Sequence, residues 1–206
     1  EELELHMQLS YKQSIEIAEE EAISSVMAQN KYNLTFIHPS NDLDVILGNS
    51  TVVSELIQDH ADLDYILCPV GGGGLIAGSA LACNAYSDKC EIIGVEPLNV
   101  NDAHRSLKSK KIEYNLKTDT IADGLRTNLG NINFPIILDY IKSIICVNED
   151  EIINAMKLIY EKLNILIEPS SAVAFAGILK EKEKFKGKKV GVILSGGNVD
   201  SNKLPF

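Results

Sequence analysis

The spacing of apolar positions changes character along the chain. Between residues 8 and 30, Ile15, Ala18, Ala22, Val26 and Met27 recur at helical intervals, which predicts an amphipathic helix with a glutamate-rich outer face. Leu34 to Ile37 is short and apolar and predicts a strand that Pro39 stops. Asp42 is placed to cap a helix carrying Val45, Ile46, Val52, Val53, Leu56 and Ile57, interrupted at Gly48. From residue 64 the pattern becomes strand, glycine turn and helix in repetition. DYILCPV is continuously apolar, as in a strand buried on both faces, and GGGG then opens the helical stretch LIAGSALACNAY. EIIGVE is the next strand. After a more polar stretch over 101–123, SIICVN predicts a strand, EDEIINAMKLIYEKL and EPSSAVAFAGILKE two helices, and KKVGVILSGGN a last strand ending in glycines. This alternation predicts an α/β fold, three αβα layers around a mostly parallel sheet.

Composition narrows the function. With 206 residues, 45% hydrophobic and 23% charged, the chain can bury a real core, which excludes disorder as its main description. No apolar run approaches the ~18 residues of a membrane span, and no basic segment leads into an apolar signal core. The 29 acidic residues against 19 basic ones give a net charge of −10, and Arg105 and Arg126 are the sole arginines. Such a chain repels phosphate backbones, so nucleic acid is not an expected partner. Cys68, Cys83, Cys90 and Cys146 form no CxxC pair, which points to free thiols in a reducing, cytoplasmic compartment, with Cys68 a small core residue. His38, His60 and His104 have no ligand spacing and read as structural or surface residues.

Two glycine clusters stand out. Gly71, Gly72, Gly73 and Gly74 follow a buried strand and open a helix, where successive backbone N–H groups and the helix N-terminus together suit a phosphate. Their apolar flanks, Val70 and Leu75-Ile76-Ala77, argue against a flexible linker. The spacing is neither GxxxxGK[ST] nor GxGxxG, which leaves a small phosphorylated cofactor. Ser195-Gly196-Gly197-Asn198 also follows a strand, at the sheet edge where α/β ligands collect. Taken alone, Glu168 reads as a helix-N-terminal acid favoured by the dipole, and Glu96 and Asp102 read as surface acids.

PVGGGGLIAG, TIADGL, LIEPSSAVAFAGIL and VGVILSGGNVD, in that order, resemble the serine/threonine dehydratase and serine racemase family, enzymes dependent on pyridoxal 5'-phosphate (PLP) with the tryptophan synthase β-like fold. HPSNDLDVILGNSTVVSELI also matches, and the likeness runs from about residue 10 to residue 200. The resemblance implies that Gly71 to Gly74 hold the PLP phosphate, that Gly124 and Glu168 line the cofactor pocket, and that the Ser195 hydroxyl meets the pyridine nitrogen. A neutral hydroxyl there makes the ring a moderate electron sink, suited to losing a β-hydroxyl. It further implies that Glu96 and Asp102, with the carbonyl of Val100, bind Mg2+ or Ca2+ in racemase-like members.

The family's Schiff-base lysine lies in a segment of the type S-x-K-x-R-G-A, followed by S-x-G-N-x-A, and neither segment occurs here. The chain therefore offers no catalytic residue of its own. Roughly the first third of a full enzyme is expected to be absent, leaving residues 1–40 as a remnant of the small domain and 41–206 as the large PLP-binding domain. The function implied for the full parent is dehydration of L-serine or L-threonine to a 2-oxo acid and ammonia, with the chain as given expected to be inactive. Serine racemase is the alternative, and a non-catalytic PLP or phosphate-binding module is a third reading. The expected assembly is a homodimer formed through the large domain.

Overall fold

In this computed structural model, residues 35–206 are described, and the chain divides into two compact units, Glu1–His38 and Pro39–Phe206. The helix expected over 8–30 lies outside the described residues. Thr35–Ile37 are not strand. Three residues ahead of a proline can make few ladder hydrogen bonds.

The second unit holds four strands, β1 (Tyr65–Pro69), β2 (Glu91–Pro97), β3 (Ile144–Val147) and β4 (Val190–Val192), in the order β3-β2-β1-β4 with every pairing parallel. Its helices are α1 (Leu43–Asn49), α2 (Thr51–Asp59), α3 (Gly74–Tyr86), α4 (Asp102–Ser109), α5 (Asn133–Tyr140), α6 (Glu149–Leu163), α7 (Pro169–Lys180) and the short α8 (Lys182–Phe185). Side chains alternate across β1. Ile66 and Cys68 pack with Ile46, Val53, Ala77 and Ile137 on one face, while Leu67 packs with Ile152, Met156, Val173 and Ala176 on the other. A sheet buried on both faces by helices is the predicted three-layer αβα arrangement, and it explains why DYILCPV carries no polar alternation.

Local rules account for several boundaries. The Asp42 carboxylate accepts the N–H groups of Asp44 and Val45 at 2.9 and 3.4 Å, as its capping position predicts. The interruption falls at Ser50 rather than at Gly48. Ser50 Oγ donates to Leu47 O at 2.6 Å and Thr51 Oγ1 to Gly48 O at 2.9 Å, satisfying the carbonyls left open where α1 ends. Asn148 and Glu151 form a reciprocal capping box that starts α6 at the position expected from sequence.

Three helices escaped the sequence pattern, the short α8 among them. α4 sits in the polar stretch, and its first turn is capped from outside by the Glu96 carboxylate at the end of β2, which accepts the N–H groups of Ala103 and His104 at 3.2 and 2.6 Å. α5 is short, and only Asn133, Phe134 and Ile137 are buried along it.

Candidate functional site

β1 delivers the chain to a turn of glycines at its carboxyl end. Val70 N–H still donates to Val95 O at 2.8 Å, after which Gly71 to Gly73 swing the backbone into α3. Gly73 has φ +86°, a left-handed conformation in which a Cβ is strained. Side chains are also excluded by what packs behind the turn. A Cβ on Gly72 would lie 2.3 Å from Ser40 Oγ, and one on Gly74 2.9 Å from the Ser40 backbone. The N–H groups of Gly71 to Gly74 donate to no partner among the described residues. Four adjacent donors at the head of a 13-residue helix form an anion cradle, and they fit the phosphate of the implied cofactor.

Asn133 holds that turn. It is fully buried, its Nδ2 donates to Gly72 O at 2.7 Å and to Ser40 O at 2.8 Å, and its Oδ1 accepts Gly130 N–H at 3.0 Å. Nothing in the sequence distinguishes this asparagine from any other in NLGNIN, because all its partners but Gly130 are more than sixty residues away.

The second predicted cluster meets the first through Gly124. A Cβ on Gly71 would lie 3.0 Å from Gly124 O. Gly124 N–H in turn donates to the buried Ser170 Oγ at 3.0 Å, a contact at the head of α7 that sequence reasoning missed. The loop carrying Gly124 is pinned on its other side, where Glu149 Oε2 accepts Ile121 N–H at 2.8 Å and Arg126 Nε donates to Thr120 O at 3.2 Å.

Glu168 sits at the N-cap of α7, a helix-terminus position that the dipole favours for an acid, and its carboxylate makes no capping hydrogen bond. Its Oε2 instead accepts Asn198 N–H at 3.0 Å, and its own N–H donates to Gly196 O at 3.2 Å. Gly71, Gly124, Glu168 and the turn Ser195–Asn198 thereby form a continuous chain of contacts around the carboxyl ends of β1 and β4. Ser195 is exposed, two residues beyond Ile193, whose N–H donates to Leu67 O at 3.0 Å and prolongs the β4 pairing. A hydroxyl presented beyond the sheet edge fits a polar contact to a bound ring.

Glu96 and Asp102 are not surface acids: each is 1% exposed. Burial pushes Glu96 well above the usual carboxylate range, opposed by the His104 N–H, and the neighbouring Asp102 charge pushes the same way. Asp102 is pushed up to about 6, mainly by burial, although its oxygens accept Leu129 N–H at 3.1 Å and Asn115 Nδ2 at 2.6 Å. Val100 is buried in the turn that joins β2 to α4. Carboxylate oxygens are the donor type that suits Mg2+ or Ca2+, and here all four already accept N–H groups, with no cluster of three or more metal-ligating side chains among the described residues. His104 is structural, its Nδ1 lying 2.9 Å from Ile144 O.

Residues 5–196 match the family model described as "Pyridoxal-phosphate dependent enzyme". The chain belongs to that family. Within it, the chain is 44% identical over 178 residues to the serine racemase of Dictyostelium discoideum, an alignment covering 84% of this chain and 55% of that protein. It is 41% identical over 187 residues to the beta-hydroxyaspartate dehydratase of Paracoccus denitrificans, covering 91% of this chain and 59% of the relative. The structure of the processed form of threonine deaminase isoform 2 from Solanum lycopersicum superposes with a TM-score of 0.83 at 33% identity, covering 87% of this chain and 53% of that one. The chain thus spans a little over half the length of the curated relatives it matches. Family and neighbours agree on PLP as the cofactor and on the parallel α/β fold, as the motifs implied. No helix among the described residues is long and apolar enough to cross a membrane.

Proposed function

We propose that the protein whose large PLP-binding domain is residues 41–206 of this chain eliminates water from L-serine or L-threonine, and that hydrolysis of the resulting imine takes that water up again to release ammonia and the 2-oxo acid. The observation that carries this reading is the contact chain from Gly71 through Gly124 and Glu168 to Gly196, which joins the family's cofactor motifs at one sheet edge. In it, the N–H groups of Gly71 to Gly74 bind the cofactor phosphate and the Ser195 hydroxyl faces the pyridine nitrogen. Glu168 orients the turn that presents Ser195, and Gly124 leaves room beside the ring. When bound, PLP supplies the electron sink that makes an amino acid's α-proton removable. Because a serine hydroxyl is neutral, it leaves that sink moderate, which favours departure of a β-hydroxyl.

The family's lysine-bearing segment is not in this sequence, so the 206-residue chain alone is expected to be inactive. Racemisation of serine is the second reading. It is favoured by the 44% identity to a serine racemase and by the buried pair Glu96 and Asp102, which with the Val100 carbonyl would hold Mg2+ or Ca2+. A non-catalytic PLP-binding module is the third.

The test is an assay of the full-length protein, expected to be a homodimer, with L-serine, L-threonine and L-threo-3-hydroxyaspartate. Ammonia and 2-oxo acid are measured beside D-serine. Release of 2-oxo acid faster than D-serine supports the proposal. D-serine in excess transfers the assignment to racemase, fastest turnover of hydroxyaspartate transfers the substrate, and PLP binding without either product favours the binding module.

A further inference from the structure

The far end of α3 from the glycine cradle carries a second constellation. Cys83 lies in the last turn of α3 and Cys90 directly precedes β2, so the two bracket a single tight connection. Ser87 holds both ends of it: its N–H donates to Cys83 O at 2.9 Å, and its Oγ accepts Cys90 N–H at 3.1 Å. Cys83 Sγ donates to Cys90 O at 3.1 Å, which brings the Cys83 side chain against the Cys90 backbone. Both are free, and both line a surface pocket of about 150 Å³ together with Asn84, Asp88, Tyr140 and Lys142. The remaining thiols differ. Cys68 is fully buried under the sheet, and Cys146 lies on β3, apart from the other sulfurs among the described residues.

We propose that Cys83 and Cys90 form a redox-active dithiol that reacts with small peroxides. Two thiols that share one pocket, on a short connection whose ends Ser87 ties together and with Cys83 Sγ 3.1 Å from the Cys90 carbonyl, are placed to join within that connection. The Cys90 hydrogen bond favours the Cys83 thiolate, while sharing its proton pushes the Cys90 thiol up. Cys83 is thus the attacking sulfur and Cys90 the resolving one. Attack by the Cys83 thiolate on hydrogen peroxide forms an S–O bond and breaks the O–O bond, and the departing hydroxide is protonated to water. Cys90 then gives up its proton and attacks the Cys83 sulfur, so that an S–S bond forms and a second water leaves. Overall two thiols are oxidised by two electrons and one peroxide is reduced to two waters. Exchange with an external dithiol reverses the step.

The experiment is a titration of the reduced protein with hydrogen peroxide, followed by intact mass and non-reducing peptide mapping. The expected product is lighter by two hydrogens, carries a Cys83–Cys90 crosslink, and returns to the starting mass with dithiothreitol. Cys68→Ser leaves that product unchanged. Cys90→Ser stops Cys83 at an oxygen adduct, and Cys83→Ser removes the rapid reaction altogether. Absence of the two-hydrogen loss in the wild-type protein overturns the proposal. So does a crosslink that involves Cys68, Cys146 or a second chain.

Discussion

The Glu168 carboxylate accepts the N–H of Asn198 at 3.0 Å, while the Glu168 N–H donates to Gly196 O at 3.2 Å. One residue at the head of α7 therefore grips the turn after β4 from both ends. A Cβ on Gly196 would lie 2.9 Å from the Glu168 carboxyl carbon, so Gly196→Ala must displace one of the two. PLP affinity of the full-length protein is expected to fall by about tenfold, the equivalent of about 1.4 kcal/mol, in a spectrophotometric titration. Glu168→Gln keeps an acceptor oxygen for Asn198 and is expected to bind better than Glu168→Ala.

Asn133 ties the glycine turn to the Ser40 backbone. Asn133→Ala removes three part-buried hydrogen bonds and takes the amide donor away from Gly72 O and Ser40 O. An unsatisfied buried group costs about 1–3 kcal/mol, so a loss of about 3 kcal/mol is expected in urea unfolding. PLP binding is expected to weaken at the same time, since Gly72 loses its anchor.

Gly78 lies where α3 crosses the end of α1. A Cβ there would sit 2.2 Å from Ile46 O and 2.9 Å from Ser50 N, both backbone atoms that cannot rotate away. Gly78→Ala gains helix propensity and still is expected to lose about 3 kcal/mol, because overpacking against backbone outweighs the propensity gain of about 1 kcal/mol. The thermal midpoint reports it. A stabilised variant would show that the two helices separate freely.

Burial pushes the Cys68 and Cys146 thiols up to about 12. At pH 8 both are then protonated and unreactive. In alkylation by iodoacetamide followed by peptide mapping, Cys68 is expected to stay unlabelled until urea unfolds the chain. Label on native Cys68 would contradict its place between the sheet and α3.

If Glu96 and Asp102 hold a divalent cation, Mg2+ or Ca2+ raises the melting temperature and a chelator reverses the gain. At a concentration of about 100 times the dissociation constant the stabilisation is about 2.7 kcal/mol. Asp102→Asn is expected to abolish the response. A melting temperature insensitive to both ions would leave the pair a structural hydrogen-bonding device.

Much of this fold was legible in one dimension, because it rests on short-range rules. Strands buried on both faces must be continuously apolar, and amphipathic helices must repeat near 3.6 residues, so β1, β2, β3, α6 and α7 could be read directly. The glycine clusters were equally visible, since a backbone that approaches a phosphate excludes side chains. The last strand was overextended: β4 covers just Val190–Val192, and β1, its neighbour among the described residues, reaches Pro69, which has no N–H to continue the ladder.

The elements that pattern missed depend on distant partners. α4 begins where the carboxylate of Glu96 reaches across from β2, and α5 carries an asparagine whose importance comes from Ser40 and Gly72. Burial of Glu96 and Asp102 could not be read from their polarity, which by itself places acids at the surface. The sequence alone determined the layered α/β class, the family motifs and the glycine cradle, since these follow from local backbone freedom and hydrophobic period. Tertiary structure decided that Glu168 clamps the Ser195 turn and that Asn133 braces Gly72, because each joins groups whose proximity exists only once the sheet has assembled.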